Sequence, residues 1–329
     1  MRKLIRLGFA LCIAALPALN TSPATANPPH ANGQIVFARY DPSIDDLVAY
    51  AIDPDGSHEH RVAPFAMECP KWSPDGTQIA TCGNPVSNDG GGATIVNPDT
   101  GSYREIVEPA PNLLPGLWCW VWTPDGSRLA CPWASESHPS RNGIYTIRVS
   151  DGQGLRRVTS NPGGEDVPGD YSPNGKRFAF VRLSQDGDEL GLFVVHSDGT
   201  HLRRIAPGAA CCTVGWSPQG NDIVFSRHLT SDVHGSLWIV HADGTGLREI
   251  PAHPAYGCGG PNSDPNAGGC FDPSWSPDGT QIVFGAGSGD LGRNIYIVRP
   301  NGTGLVQLTH GDASQSNEAP DWGIHPLTG

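Results

Sequence analysis

The sequence predicts an all-β protein, a six-bladed β-propeller whose first blade is closed by the C-terminal strand. Three observations predict it. An aromatic residue recurs at Trp72, Trp122, Tyr171, Trp216, Trp275 and Trp322, in five of the six copies followed by Ser/Thr-Pro, at spacings of 45 to 59 residues. That period belongs to propellers and arrays. A second turn recurs in step with it, at Asp55-Gly56, Asp99-Thr100-Gly101, Asp151-Gly152, Asp198-Gly199, Asp243-Gly244 and Asn301-Gly302. The ends are complementary: Gln34-Ile35-Val36-Phe37 matches the second strand Gln281-Ile282-Val283-Phe284, and Ala319-Pro320-Asp321-Trp322 matches a first strand with no second strand after it. A ring closed in this way has no open sheet edge.

Taken in order, the chain begins with Arg2, Lys3 and Arg6 before an apolar run from Leu7 to Leu19, then Ala24-Thr25-Ala26 ahead of Asn27. A basic end, a short apolar run and a small-x-small site read as a secretory signal peptide over 1–26, too short for a membrane span. Cys12 follows Leu11, a poor lipoprotein box, so the expected product is soluble, with no transmembrane segment. Residues 27–32 form a short tail, 33–325 the propeller and 326–329 a C-terminal tail. The net charge is −12, and loss of the three basic residues of the leader makes it −15. An acidic surface disfavours nucleic acid and anionic lipid.

Each repeat has a local physical reason. In residues 273–309 an aromatic-bearing strand ends in Ser276-Pro277-Asp278-Gly279, where Pro presets φ, Asp bonds its own backbone and Gly takes φ > 0. An apolar strand and an alternating one follow, and Asn301-Gly302 gives a second tight turn before a last strand. Four strands per unit and six units make the ring. With 42 Gly and 31 Pro, the composition is turn-heavy, as this scheme requires.

The repeat resembles that of the TolB-like propeller family: aromatic-Ser-Pro-Asp-Gly-x-x-Ile-Ala/Val-Phe, then Ile-Tyr, then Asp-Gly and Leu-Thr. The resemblance covers about residues 33–325, with six copies in phase, and degenerate turns at Ser172-Pro173-Asn174-Gly175 and Ser217-Pro218-Gln219-Gly220. No α/β unit of the TolB type precedes the repeats. No Gly-x-Ser-x-Gly elbow of a prolyl-oligopeptidase-type hydrolase is present.

The repeated Asp75, Asp125, Asp278, Asp55, Asp151, Asp198 and Asp243 sit where turns need an Asx residue, so they are read as structural. The aromatic residues keep one phase and are read as wedges between blades. Irregular sequence falls in the strand 2–3 and 4–1 connections, on the face called the top, where binding residues concentrate. The most irregular runs from His253 to Phe271, and the neighbouring strand 2–3 loop of blade 5 carries His228, Asp232 and His234. The candidate binding residues are therefore His228, Asp232, His234, His253, Tyr256, Asn262 and Asp264. Histidines on that face (His138, His228, His234, His253 and His310) are similar in setting to those of oligogalacturonate lyase, a propeller enzyme with a His-bound metal. None has His-x-x-x-His spacing, so solvated loop histidines are expected, with no metal and no cofactor.

Eight cysteines follow the leader, an even number that favours disulfides in an exported chain. Local pairing is expected: Cys69–Cys82, Cys119–Cys131, Cys258–Cys270 and Cys211–Cys212. With a three-residue turn, Ser73 opposes Thr77 and Thr123 opposes Ser127. Cys119 then faces Cys131, while Cys69 faces Thr81 and needs a one-residue bulge to reach Cys82.

The function expected is an exported, non-enzymatic binding or scaffolding protein that uses the top face. Its partner would be a protein or carbohydrate of the cell envelope, with no nucleic acid, and the chain would be a monomer. The alternative is a propeller enzyme, a polymer lyase or hydrolase, with a metal or without, at the top-face pocket.

Overall fold

The computed structural model describes residues 31–82, 92–106, 114, 116–228, 235–252, 269–288, 292–312 and 314–328, with backbone alone at 209–213, 228 and 288. Six four-stranded antiparallel sheets stand in a ring. Blade 1 consists of Asn317–Trp322, Ile35–Asp41, Asp46–Ile52 and His60–Arg61, innermost strand first, so the C-terminal strand does close it. The innermost strands of blades 2 to 6 are Glu68–Trp72, Val121–Trp122, Gly164–Tyr171, Ala209–Trp216 and Gly269–Trp275.

Closure is held by backbone and side chain together. Gly33 N–H donates to Gly323 O, Gln34 N–H to His325 O and Gly323 N–H to Gln34 O, each at 3.0 Å. The Trp322 indole donates to Gly33 O at 2.9 Å, and the Gln34 amide to Thr328 Oγ1 at 2.8 Å. His325 stacks on Trp72, ring centroids 4.9 Å apart, which carries the tail across to blade 2.

The core lies between blades. Each of the six interfaces has its own buried cluster, and each contains one of the repeated aromatics. These six residues are 4–7 % exposed, so the wedge reading holds. The Trp122 indole donates to Lys71 O of the preceding blade at 3.1 Å. The indole N–H groups of Trp72, Trp216 and Trp275 are buried without an acceptor among the described residues, a cost tolerated because the ring's apolar area dominates.

The turns are built as the sequence predicts, with one correction to their length. Asp75 Oδ1 accepts from Ser73 Oγ at 2.6 Å and Thr77 N at 3.1 Å, and Asp125 and Asp278 repeat the pattern. However, Ser73 N–H pairs with Gln78 O and Thr123 N–H with Arg128 O, one residue beyond the expected Thr77 and Ser127. The reason is the hydroxyl: Ser73 Oγ accepts Gln78 N–H at 2.9 Å, and Thr123 Oγ1 accepts Arg128 N–H at 3.0 Å, which adds a rung beyond the turn.

Bulges in the innermost strands then shift the register back. In blade 2, Lys71 pairs with Ala80 but Glu68 with Cys82. The extra residue adopts positive φ at Cys69 (47°), Asp272 (53°) and Ala319 (51°), each three positions before its Trp. A bulge at a fixed phase re-aims the residues that follow it.

Cys119 and Cys131 are bonded, with Cα atoms 4.1 Å apart, as expected for that pair. Cys69 and Cys82 are not bonded, which corrects the expectation for that pair. The required bulge is present, Glu68 rather than Cys69 stands opposite Cys82, and the two thiols are in contact and free. Contact with Cys69, then burial, pushes the Cys82 thiol well up. Cys270 is buried and disulfide-bonded, while Cys258 lies outside the described residues. The side chains of Cys211 and Cys212 are likewise outside them.

Candidate functional site

Because the innermost strands alternate, five of the six with a register shift upstream, the residue before each aromatic turns toward the propeller axis. These positions hold Lys71, Val121, Asp170, Gly215, Ser274 and Asp321. All six line one axial cavity of about 260 Å³. Its rim is made by the turn prolines Pro74, Pro124, Pro218 and Pro277, with Ile324 in the corresponding place of blade 1. The mouth therefore opens on the turn face, with an apolar, partly exposed rim and a charged floor.

Three charged groups meet on that floor. Lys71 Nζ lies 3.2 Å from Asp321 Oδ1, their side chains 13 % and 17 % exposed. Ser274 Oγ donates to the same oxygen at 3.1 Å. The other Asp321 oxygen accepts Trp72 N–H at 2.9 Å. Asp170 does the same on the far side, its Oδ2 accepting Trp216 N–H at 2.8 Å and its Oδ1 Tyr171 N–H at 2.7 Å. Each axial carboxylate thus pins the aromatic of the next blade around the ring.

The electrostatics are those of a partly desolvated cluster. Burial pushes the Asp170 carboxyl up to about 7, with the Asp321 charge adding to it and the Trp216 N–H and Lys71 opposing it. Burial presses Lys71 downward, yet Asp321, with Asp272 and Asp170 beyond it, holds the ammonium above the ordinary lysine value. The cluster can hold a hydrogen-bonding or cationic group of an inserted segment near Asp170, the carboxylate without an ion-pair partner among the described residues.

The residues expected to bind are not tested by the structure. Asp232, His234, His253, Tyr256, Asn262 and Asp264 lie outside the described residues. His228 ends the second strand of blade 5, paired with Gly235, and its side chain is not described. His138 and His310 are exposed on the surface. Among the described residues no group of three or more His, Cys, Asp or Glu is placed to hold a metal ion. His241 bonds Asp222 at 2.6 Å and His196 stacks on His201, both at strand ends two residues before Asp243-Gly244 and Asp198-Gly199. The sequence reading passed over the axial trio. A charge directly before a phase-locked Trp was its available signal: Lys71 and Asp321 break a row that is otherwise small or apolar except at Asp170.

Among the described residues no helix is long and apolar enough to cross a membrane. No family model matches the chain, and no curated protein matches it by sequence. Solved structures do. TolB from Acinetobacter baumannii superposes with a TM-score of 0.67 at 19% identity, over 90% of this chain and 67% of that one. A putative TolB from Agrobacterium tumefaciens gives 0.63 at 18%, over 89% and 99%. An oligogalacturonate lyase in complex with manganese gives 0.54 at 14%, over 84% and 74%. The fold is a TolB-like six-bladed propeller.

Proposed function

We propose that the chain is exported and works as a non-enzymatic binding or scaffolding module that receives a protein or carbohydrate partner of the cell envelope at the axial mouth. One observation carries the site: Lys71, Asp170 and Asp321 converge from three blades at the base of a proline-rimmed cavity. Export is supported by the leader-like N-terminus and the Cys119–Cys131 disulfide. The polar floor would give orientation and the apolar rim contact area, the division of labour usual in recognition sites. The fold likeness to TolB structures accords with a scaffold, at an identity that supports fold alone.

The test is an unbiased pull-down from the envelope fraction with mature protein, run beside two variants. Asp170→Asn removes the axial charge and keeps an acceptor for Trp216 N–H. Replacement of residues 259–269 by a Gly-Ser linker removes the long top-face connection and keeps both cysteines. Loss of a specific partner with Asp170→Asn alone supports the axial mouth. Loss with the linker alone moves the site to the top face, around His228–His234 and the 253–271 connection. Turnover of a polysaccharide by the unmodified protein would favour the lyase or hydrolase instead.

A further inference from the structure

A cavity lies away from the axis, between blades 3 and 4 on the turn face, with a volume of about 630 Å³. That falls in the range of about 300–1,000 Å³ typical of ligand clefts. Its position has a cause. Five of the six wedge residues are Trp, and the sixth, Tyr171, stands at this interface. A phenol is smaller than an indole, so the space beside it is left open. The blade 4 turn opposite also departs from the repeat, carrying Asn174 where blades 2, 3 and 6 have Asp75, Asp125 and Asp278.

The blade 3 wall is basic in a chain with 33 acidic and 21 basic residues. Thr146 pairs with Arg156, and Arg148 with Arg128, so these four side chains share one face of the sheet. Arg128 is held in place by Thr146 Oγ1 at 2.9 Å and Thr146 O at 2.8 Å. Arg148 is committed to Asp151 at 2.7 Å. Arg157 faces the other way, spent on Thr159 O, Ser140 O and Asn142 O. Arg156 is exposed and makes no hydrogen bond or ion pair among the described residues. Burial, then the charges of Arg156 and Arg148, pulls the Arg128 guanidinium down, with Tyr171 and Asp125 opposing the shift.

The cavity also offers acceptors. Asp125 uses Oδ1 for Thr123 and Ser127, and Asp198 uses Oδ1 for Thr200, which leaves the second oxygen of each available. Asn174 spends its Oδ1 on Ser172 and Lys176, which leaves its amide N–H groups available.

The geometry points to a binding site for a polyhydroxylated anion, a sugar bearing a carboxylate or a phosphate. Arg128 and Arg156 take the acid group, while Asp125 and Asp198 accept from hydroxyls. Guanidinium groups suit either oxyanion, and a fixed Arg128 lowers the ordering cost. An uncharged sugar would leave the two guanidinium groups unanswered, and an inorganic anion would leave the carboxylates unused. The site is separate from the axial mouth and stands or falls independently of it.

The experiment is isothermal titration of the mature protein at low salt with glucuronate, glucose 6-phosphate and glucose. The two acidic probes distinguish carboxylate from phosphate as the natural acid group. At least one should bind saturably and at least ten-fold more tightly than glucose. Arg156→Ala, at an exposed position, should weaken that probe by about ten- to a hundred-fold, as expected for a charged hydrogen bond. Tyr171→Trp, which restores the repeat and fills the space, should abolish binding. Arg248→Ala, on blade 5, should leave it unchanged. Saturable binding by neither acidic probe, equal binding of glucose, or binding indifferent to Arg156→Ala would each overturn the proposal.

Discussion

Replacing Asp170 by Asn should stabilise the propeller at neutral and alkaline pH and leave it little changed near pH 4. The folded carboxyl titrates at about 7 against an ordinary value of 3.8. Between those values the folded state holds a proton that the unfolded state has released. Stability therefore falls as pH rises from about 4 to about 7, and the loss is complete above 7. A shift of about three units corresponds to about 4 kcal/mol. That is an upper limit, because the side chain borders an open cavity whose water relaxes around the charge, and about 1–2 kcal/mol is the expected observable. Asn keeps an oxygen for Trp216 N–H, so the comparison isolates the charge. The assay is urea unfolding followed by Trp fluorescence at pH 4, 5, 6, 7 and 8 for both proteins. The turn aspartates add their own pH dependence, but it is common to both and cancels in the difference. A difference that stays constant across this range, or shrinks as pH rises, would refute the assignment of a raised carboxyl to the axis.

Other perturbations test the frame. Asp166 is fully buried and accepts from Arg182 Nε at 2.7 Å and Nη2 at 2.9 Å, so Arg182→Ala should cost about 3–5 kcal/mol in a denaturant melt by leaving that charge unpaired. Deleting residues 317–329 strips the innermost strand from blade 1 and the Trp322 wedge from its interface. For the aromatic alone, about 150–250 Å² at 25 cal/mol per Å² gives about 4–6 kcal/mol as an upper bound, so a melting temperature equal to that of the full chain would contradict ring closure. Asp75→Ala should lower stability by about 1–2 kcal/mol at pH 7. Hydrogen bonds from Ser73 and then Thr77 hold that carboxyl below its ordinary value, so its contribution is present above the unfolded pKa and fades as pH falls through the folded one. Melts at pH 7 and pH 2.5 should therefore converge for the two proteins at the acid end.

What the sequence determined by itself is everything that closes within a few residues. Ser73, Asp75 and Thr77 bond one another across four positions, and such a turn is legible wherever it recurs. Five copies of it, each behind an aromatic, with the sixth aromatic at Trp322, were enough to count blades, to place the seam at Gln34 and Trp322, and to expect the local Cys119–Cys131 bond. Register was less legible: whether Ser73 pairs with Thr77 or Gln78 depends on one hydroxyl, and whether Cys69 meets Cys82 squarely depends on which residue takes the bulge. Tyr171 is the one repeated aromatic that is not Trp, yet nothing local says that a missing ring leaves a cavity rather than a tighter interface. The axial trio lay beyond reach for a different reason. Lys71 and Asp321 are 250 residues apart in the chain and 3.2 Å apart in space, and only closing the ring brings them together. Local chemistry fixed the blades, while the sites depend on distances between blades, which exist only once all six have packed.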